Sequence, residues 1–229
     1  MLLLIPIAIR AQMINPYIDL KRFHFGFSLG VNLMSYHITD SKDTINGEVY
    51  HARVSSLMPG FSVGFITDLR LTRHLNLRLC PALHFGQKTI QYINESGNPI
   101  RGLDNSYKDK AELLSLPIAV PLYLKWSAER QDNYRPYLIA GGGVQYDFGG
   151  QKERPIYQRQ LDYFIDFGFG CDFYTTWFKF CPEIKYQIGF ANMLTPVEER
   201  TNLPVQNEFY TLAIKKMTNQ MITICFNFE

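Results

Sequence analysis

Residues 22–34 read RFHFGFSLGVNLM, a strict alternation of large apolar side chains with small or polar ones. One face of this segment carries Phe23, Phe25, Phe27, Leu29, Val31 and Leu33. The other face carries His24, Gly26, Ser28, Gly30 and Asn32. Because successive side chains of a β-strand point to opposite faces, the segment predicts a strand with one apolar face.

The same alternation recurs along the rest of the chain. Seven further segments show it, at residues 60–71, 74–86, 113–126, 134–148, 161–174, 178–190 and 220–229. Pro117 and Pro121 predict a bulge or gap in the fourth strand, because proline donates no ladder hydrogen bond. Gly141, Gly142 and Gly143 predict a bend in the fifth. We therefore expect eight strands.

The connections between these segments alternate in length. Long polar connections occupy residues 35–59, 87–112, 149–160 and 191–219. Short ones occupy residues 72–73, 127–133 and 175–177. Long and short connections then lie at opposite ends of an all-β, eight-stranded, antiparallel, up-and-down transmembrane β-barrel, the pattern of outer-membrane barrels with short periplasmic turns. The even strand count predicts that both termini lie on the periplasmic side.

The direction of the two faces decides the environment. After the first dozen residues, no stretch of about 18 uncharged apolar residues occurs, so a membrane-spanning helix is excluded on length. Eight strands enclose little more than their own side chains, and phenylalanines on every strand would overfill that space. The apolar face is therefore expected to contact outer-membrane lipid, with small and charged side chains inside.

Twelve charged residues fall on the predicted inner face, six of each sign. They are Arg22, Asp68, Arg70, Arg78, Lys125, Asp147, Asp162, Asp166, Asp172, Lys179, Glu183 and Lys185. Unpaired charges away from water are costly, so this balance predicts a salt-bridged plug rather than an open pore.

The two ends of the chain carry processing and assembly patterns. Residues 1–11, MLLLIPIAIRA, are expected to be the remnant of a signal peptide cleaved between Ala11 and Gln12; an apolar N-terminal strand is the alternative. Residues 12–229 then form a single barrel domain. Near the other end, Phe226 and Phe228 are expected to act as the aromatic assembly signal of outer-membrane barrels.

Aromatic residues make up 14% of the chain, which suits strands and membrane interfaces. Six aromatics are expected near the short-turn end, as an interfacial girdle or as ordinary strand enrichment: Tyr17, Trp126, Tyr134, Tyr163, Trp177 and Phe178. The four cysteines, Cys80, Cys171, Cys181 and Cys225, fall inside predicted strands without metal-ligand spacing, so small-residue packing is favoured over disulfides.

The sequence predicts no catalytic, cofactor or metal site. The histidines are scattered, and no phosphate-binding or nucleophile motif occurs. A formal charge of +2 gives no footprint for nucleic acid. The one candidate for a lipid-modifying enzyme, a class of small barrels with a Ser/His/acid group near the outer rim, is His51, Ser55 and Ser56 with Glu48 in the first long connection.

With the strands in place, the chain resembles the PorT family of Bacteroidetes outer-membrane proteins, which are linked to the type IX secretion system. The resemblance spans nearly the whole mature length. Its blocks are RFHFGFSLGVNLM (22–34), PGFSVGF (59–65), LPIAVPLYLK (116–125), RPYLIAGGG (135–143), DFGFGCDFY (166–174) and FKFCPEIKYQIGF (178–190).

The resemblance implies a non-enzymatic role in exporting proteins across the outer membrane, with gliding motility in some relatives. It implies partners among the other secretion-system subunits and no cofactor. The alternative is a general outer-membrane barrel that acts in adhesion or envelope stability through its long loops.

Overall fold

The computed structural model describes residues 14, 18–41, 44–45, 48–94, 110–149, 158–195 and 214–229. Within them lie a 3-10 helix, Ile18–Leu20, and twelve strands. The strands are β1 (Phe23–Asp40), β2 (Thr44–Ile45), β3 (Glu48–Leu57), β4 (Pro59–Arg70), β5 (Leu75–Leu79), β6 (Ala82–Asn94), β7 (Lys110–Ser115), β8 (Pro117–Ser127), β9 (Tyr134–Asp147), β10 (Leu161–Tyr174), β11 (Lys179–Gly189) and β12 (Ile214–Phe228).

Eleven of these strands close into a ring of 8 antiparallel positions. We call each position a wall, and a wall consists of either one strand or two consecutive strands. β1, β9, β10, β11 and β12 are single walls, whereas β3 with β4, β5 with β6 and β7 with β8 are walls split in two. β1 closes the ring, because residues 27–40 pair with β12 and residues 23–33 pair with β4. The predicted eight-stranded antiparallel barrel is confirmed.

The splits in three walls lie next to prolines. β7 and β8 separate at Leu116, directly before Pro117, and β5 and β6 separate at Cys80 and Pro81. Proline cannot donate to a ladder, so a wall is most easily interrupted beside it. The gap predicted for the fourth strand is therefore present at its first proline.

Several strands run further than the sequence pattern predicts. β1 continues to Asp40, β6 continues to Asn94, and β12 starts at Ile214. β3 and β7 also lie in segments expected to be loop. Three of the four predicted long connections, residues 35–59, 87–112 and 191–219, are thus partly strand. The reason is physical: beyond the lipid, a strand needs no apolar outer face, so the alternation that marks it fades.

The large apolar residues point outward. Phe25, Phe27 and Phe167 are 60%, 51% and 48% exposed. Side chains of the opposite face, such as Asn32 and Asp68, are fully buried inside the ring. The barrel therefore presents its apolar face to its surroundings and its polar face to its interior.

We call the end with the β4–β5, β8–β9 and β10–β11 connections the turn end, and the opposite end the loop end. β1 begins and β12 ends at the turn end. At the loop end an apolar cluster fills the interior, formed by Tyr36, Ala52, Ile90, Tyr92, Leu113, Met193, Leu194, Ile214 and Met217. No helix in the described ranges is long and apolar enough to cross a membrane.

Candidate functional site

A network of buried charges occupies the interior near the turn end, and Arg78 is its hub. The Arg78 guanidinium donates from Nε to Asp68 Oδ2 at 2.9 Å, from Nη1 to Glu183 Oε2 at 3.4 Å, and from Nη2 to Glu229. All four side chains are essentially inaccessible to solvent. One guanidinium thus binds three carboxylates.

Three lysines complete this network. Lys125 Nζ donates to both carboxylate oxygens of Asp172 at 2.8 Å. Lys179 Nζ lies 3.8 Å from Asp172 and also contacts Glu229, and Lys185 Nζ lies 3.3 Å from Glu183. The charge network, as we call it, comprises four cations and four anions: Asp68, Arg78, Lys125, Asp172, Lys179, Glu183, Lys185 and Glu229. Its formal charge is zero, the condition under which buried ions are tolerated.

Tyr137 lies at the centre of the charge network. Its hydroxyl donates to Glu183 at 2.7 Å. Its ring lies 3.9 Å from Lys125 Nζ and 5.8 Å from the Arg78 guanidinium carbon. The aromatic face is negative, so the ring adds to the stabilisation of both cations. Sequence reasoning missed this residue, although the alternation of β9 places it on the inner face.

A second polar group lies closer to the loop end. Asp162 Oδ2 accepts hydrogen bonds from Gln145 Nε2 at 3.0 Å and Asn219 Nδ2 at 2.8 Å. Gln187 Nε2 donates to Gln145 Oε1 at 2.7 Å, and Lys88 Nζ donates to Asn219 at 2.9 Å. We call Gln145, Asp162, Gln187 and Asn219 the amide layer.

Two further carboxylates of the predicted interior set, Asp166 and Asp147, accept hydrogen bonds from neighbouring hydroxyls and backbone amides. Asp166 accepts a hydrogen bond from the Tyr123 hydroxyl at 2.6 Å. Asp147 accepts from Ser115 and from the backbone amides of Leu116 and Gly149. On the neighbouring walls, Asn32 donates to Ser62, whose hydroxyl lies 2.7 Å from His84 Nδ1.

Ten of the twelve predicted interior charges therefore lie inside the barrel, and the prediction was wrong for the other two. Arg22 directly precedes β1 and is exposed, and Arg70 ends β4 and is only half-buried, its Nε donating to the Thr72 carbonyl at 3.3 Å. Long basic side chains at a rim can carry their charge to water. Glu229, which we did not include, belongs to the charge network; the inward position of Asn227 two residues earlier was the available signal.

The segment before β1 lies against the turn end. Asp19 accepts a hydrogen bond from the Tyr174 hydroxyl at 2.7 Å and lies 3.4 Å from Arg130 and 3.8 Å from Arg135. Ile14 N donates to Asn133 at 2.9 Å. These partners come from the β8–β9 and β10–β11 ends, so the segment joins connections far apart in sequence.

At the loop end, His51 Nδ1 lies 2.9 Å from Asp40 Oδ2, and Ala52 N donates to the other oxygen at 3.1 Å. These contacts join β1 to β3. The side chains of Glu48, Ser55 and Ser56, the rest of the predicted catalytic candidate, lie outside the described part of the structure. Among described side chains, no group of three or more His, Cys, Asp or Glu residues is placed to hold a metal ion.

Aromatic residues at the turn end include Trp126, Tyr134, Trp177 and Phe178, all exposed. Tyr163 was placed wrongly at this end: it pairs with Val144 on the loop-end half of β10, because β10 descends from the loop end. Tyr17 lies outside the described residues, as do the predicted cleavage residues Ala11 and Gln12.

The remaining predicted residues lie on β12 and in the strands. Phe226 is on the outer face, and the Phe228 ring stacks on Phe27 at 4.9 Å. Their role as an assembly signal stays a prediction. All four cysteines are free thiols: Cys80, Cys171, Cys181 and Cys225.

A family model described as "Outer membrane protein beta-barrel domain" matches residues 10–195. No curated protein matches the chain in sequence.

Among solved structures, the chain is similar to Neisserial surface protein A, at 11% identity over 90% of this chain and 98% of that chain, with a TM-score of 0.45. OprG from Pseudomonas aeruginosa gives 11% identity, 90% and 93% coverage and a TM-score of 0.46. AlkL, solved in DMPC lipid bilayers, gives 10% identity, 88% coverage of both chains and a TM-score of 0.41. From the family match and the closed ring with its apolar outer face, the chain belongs to the outer membrane protein β-barrel domain family and is a protein of the outer membrane.

Proposed function

We propose that this protein is a non-enzymatic, non-conducting barrel that serves protein export as an accessory subunit of a type IX secretion system. The specific role rests on the resemblance of its strand blocks to the PorT family. Its partners would be outer-membrane lipid, around the apolar outer face, and other secretion subunits.

The filled interior supports the proposal that the barrel does not conduct ions. The charge network occupies the turn-end half, the amide layer lies above it, and the apolar cluster fills the loop end. Each layer is made of buried side chains that bind one another across the barrel. A protein with such an interior acts through its surfaces rather than through a pore.

The proposed orientation places both termini and the short turns in the periplasm. Outer-membrane barrels put short turns on that side and longer loops outside. The segment around Asp19 and the residue Glu229 both lie at the turn end. Contacts with periplasmic parts of the secretion machine would then be made by the turn end, where Trp177 is 90% exposed.

A clean deletion tests the secretion role. We expect loss of export of cargo proteins, restored by the wild-type chain, and no ion conductance from the purified protein in planar bilayers. Normal secretion in the deletion strain would exclude the role, and stable open-channel currents would exclude the plugged interior.

A pair of tryptophan variants tests the turn-end contact. Trp177→Ser removes the residue at the tip of the β10–β11 turn, whereas Trp126→Ser removes an exposed tryptophan at the same end on the lipid-facing side of β8. If Trp177 meets a partner, its variant alone reduces secretion at equal barrel abundance. Equal secretion from both variants would argue against that contact.

The alternative, adhesion or envelope stability, is favoured by the strand extensions at the loop end. β1, β6 and β12 continue past the segments with an apolar outer face and would carry the loops away from the membrane. Reduced surface attachment or increased detergent sensitivity of the deletion strain, with secretion intact, would support this function instead.

A further inference from the structure

A small cavity lies between the two polar layers of the barrel interior. Its volume is about 20 Å³. Lys185, a member of the charge network, and Gln187, a member of the amide layer, both line it. The two layers therefore each extend one side chain to the same cavity.

Asp166 supplies an unsatisfied group at this cavity. The residue is only 5% exposed and lines the space. Its Oδ2 accepts the hydrogen bond from Tyr123, but its Oδ1 has no hydrogen-bond partner among the described residues. A carboxylate has about four acceptor positions, and a buried polar atom without a partner destabilises the fold.

The charges around the cavity limit what can bind there. The lining carries one ammonium, Lys185, and one carboxylate, Asp166, so its two charges balance and favour neither a cation nor an anion. A neutral ligand that both donates and accepts fits this lining. Hydroxyls of Ser28, Ser62 and Thr223 in the lining provide further partners.

The volume of the cavity suits a single water molecule. A site needs roughly 10–15 Å³ of accessible space and two to four polar partners to hold one water molecule. The cavity exceeds this volume without approaching what a larger solute requires.

We propose that the cavity binds one structural water molecule, which donates a hydrogen bond to Asp166 Oδ1 and links the charge network to the amide layer. Polar contacts then run along the barrel from Glu229 at the turn end through Lys185 and Gln187 to Asn219 and Lys88. The bound water thus connects the charge network and the amide layer into one hydrogen-bonded interior.

Direct detection uses the full-length protein folded in detergent micelles. The methyl groups of Ala82 and Ala119 line the cavity. We expect both to show nuclear Overhauser transfer from water with the sign of a long-lived complex, and Ala119→Val, which fills the space, to abolish it at Ala82. No transfer at either methyl in the wild-type protein would overturn the proposal.

A stability cycle distinguishes a bound water from a dry void. Filling a dry cavity stabilises a protein, whereas displacing a water from Asp166 leaves a buried carboxylate oxygen unpaired. We therefore expect Ala119→Val to raise the unfolding equilibrium constant about tenfold in the wild type. In an Asp166→Ala background, the same substitution should be neutral or stabilising. Stabilisation by Ala119→Val in the wild type, or equal losses in both backgrounds, would refute the proposal.

Discussion

Arg78→Met removes the hub of the charge network while keeping an unbranched side chain of similar length. It leaves Asp68, Glu183 and Glu229 without the guanidinium to which all three bind. Removing one partner of a buried ion pair costs about 3–5 kcal/mol, and the loss of three contacts places this variant at the upper end, about 5 kcal/mol.

The assay is guanidinium unfolding of the full-length barrel in phospholipid vesicles, followed by tryptophan fluorescence and by heat-dependent gel mobility. Arg70→Met is the matched control, because Arg70 lies at the rim and binds only the Thr72 carbonyl among the contacts described. We expect the control to change the free energy of unfolding by less than about 0.5 kcal/mol.

A second substitution separates charge from packing. Arg78→Met leaves the charge network with one excess negative charge. Adding Glu229→Gln restores its formal neutrality, so part of the lost stability, about 1–2 kcal/mol, should return. If Arg78→Met costs less than about 1 kcal/mol, or no more than Arg70→Met, the network does not stabilise the barrel as argued.

Three further predictions concern other parts of the barrel. Gly60→Ala places a Cβ 1.9 Å from the Phe85 carbonyl oxygen and should cost about 1–3 kcal/mol in the same unfolding assay. Gly64→Ala, whose nearest contact is the Ala82 Cβ at 3.1 Å, requires smaller shifts and should cost less; equal effects would contradict the strand spacing. A water-soluble maleimide should leave the buried Cys181 unmodified in the folded protein and label it after unfolding, as mass spectrometry would report; rapid labelling of the folded barrel would argue for an open interior. His51→Ala should leave the lipid profile of the outer membrane unchanged, and a lost lipid modification would overturn the non-enzymatic proposal.

The membrane-embedded part of the barrel could be predicted closely from the sequence. β10 spans Leu161–Tyr174, the predicted range, because lipid outside and packing inside impose opposite requirements on alternate residues. The same reasoning failed at the loop end of β1, where residues 35–40 are strand without an apolar outer face. Alternating hydrophobicity therefore predicts which part of a strand contacts lipid, but not how far the strand continues beyond the lipid.

The interior could be predicted by face but not by pairing. Alternation assigned Lys125 and Asp172 to the inner face, yet only the ring geometry shows that they bind each other. The prediction failed at the rim. Knowing which face of the strand a residue lies on does not fix where a long side chain such as Arg22 places its charge. Tyr137 was missed for a related reason: a tyrosine on a strand looks like packing until its cationic neighbours are known.

Ring closure and completion of the charge network depend on the same strand in this barrel. Glu229 follows the strand that seals the wall against β1, and it supplies the fourth negative charge for Arg78 and Lys179. Until β12 pairs with β1, Arg78 and Lys179 lack the carboxylate that both contact, so an open sheet is missing its seam and one of its counter-ions together.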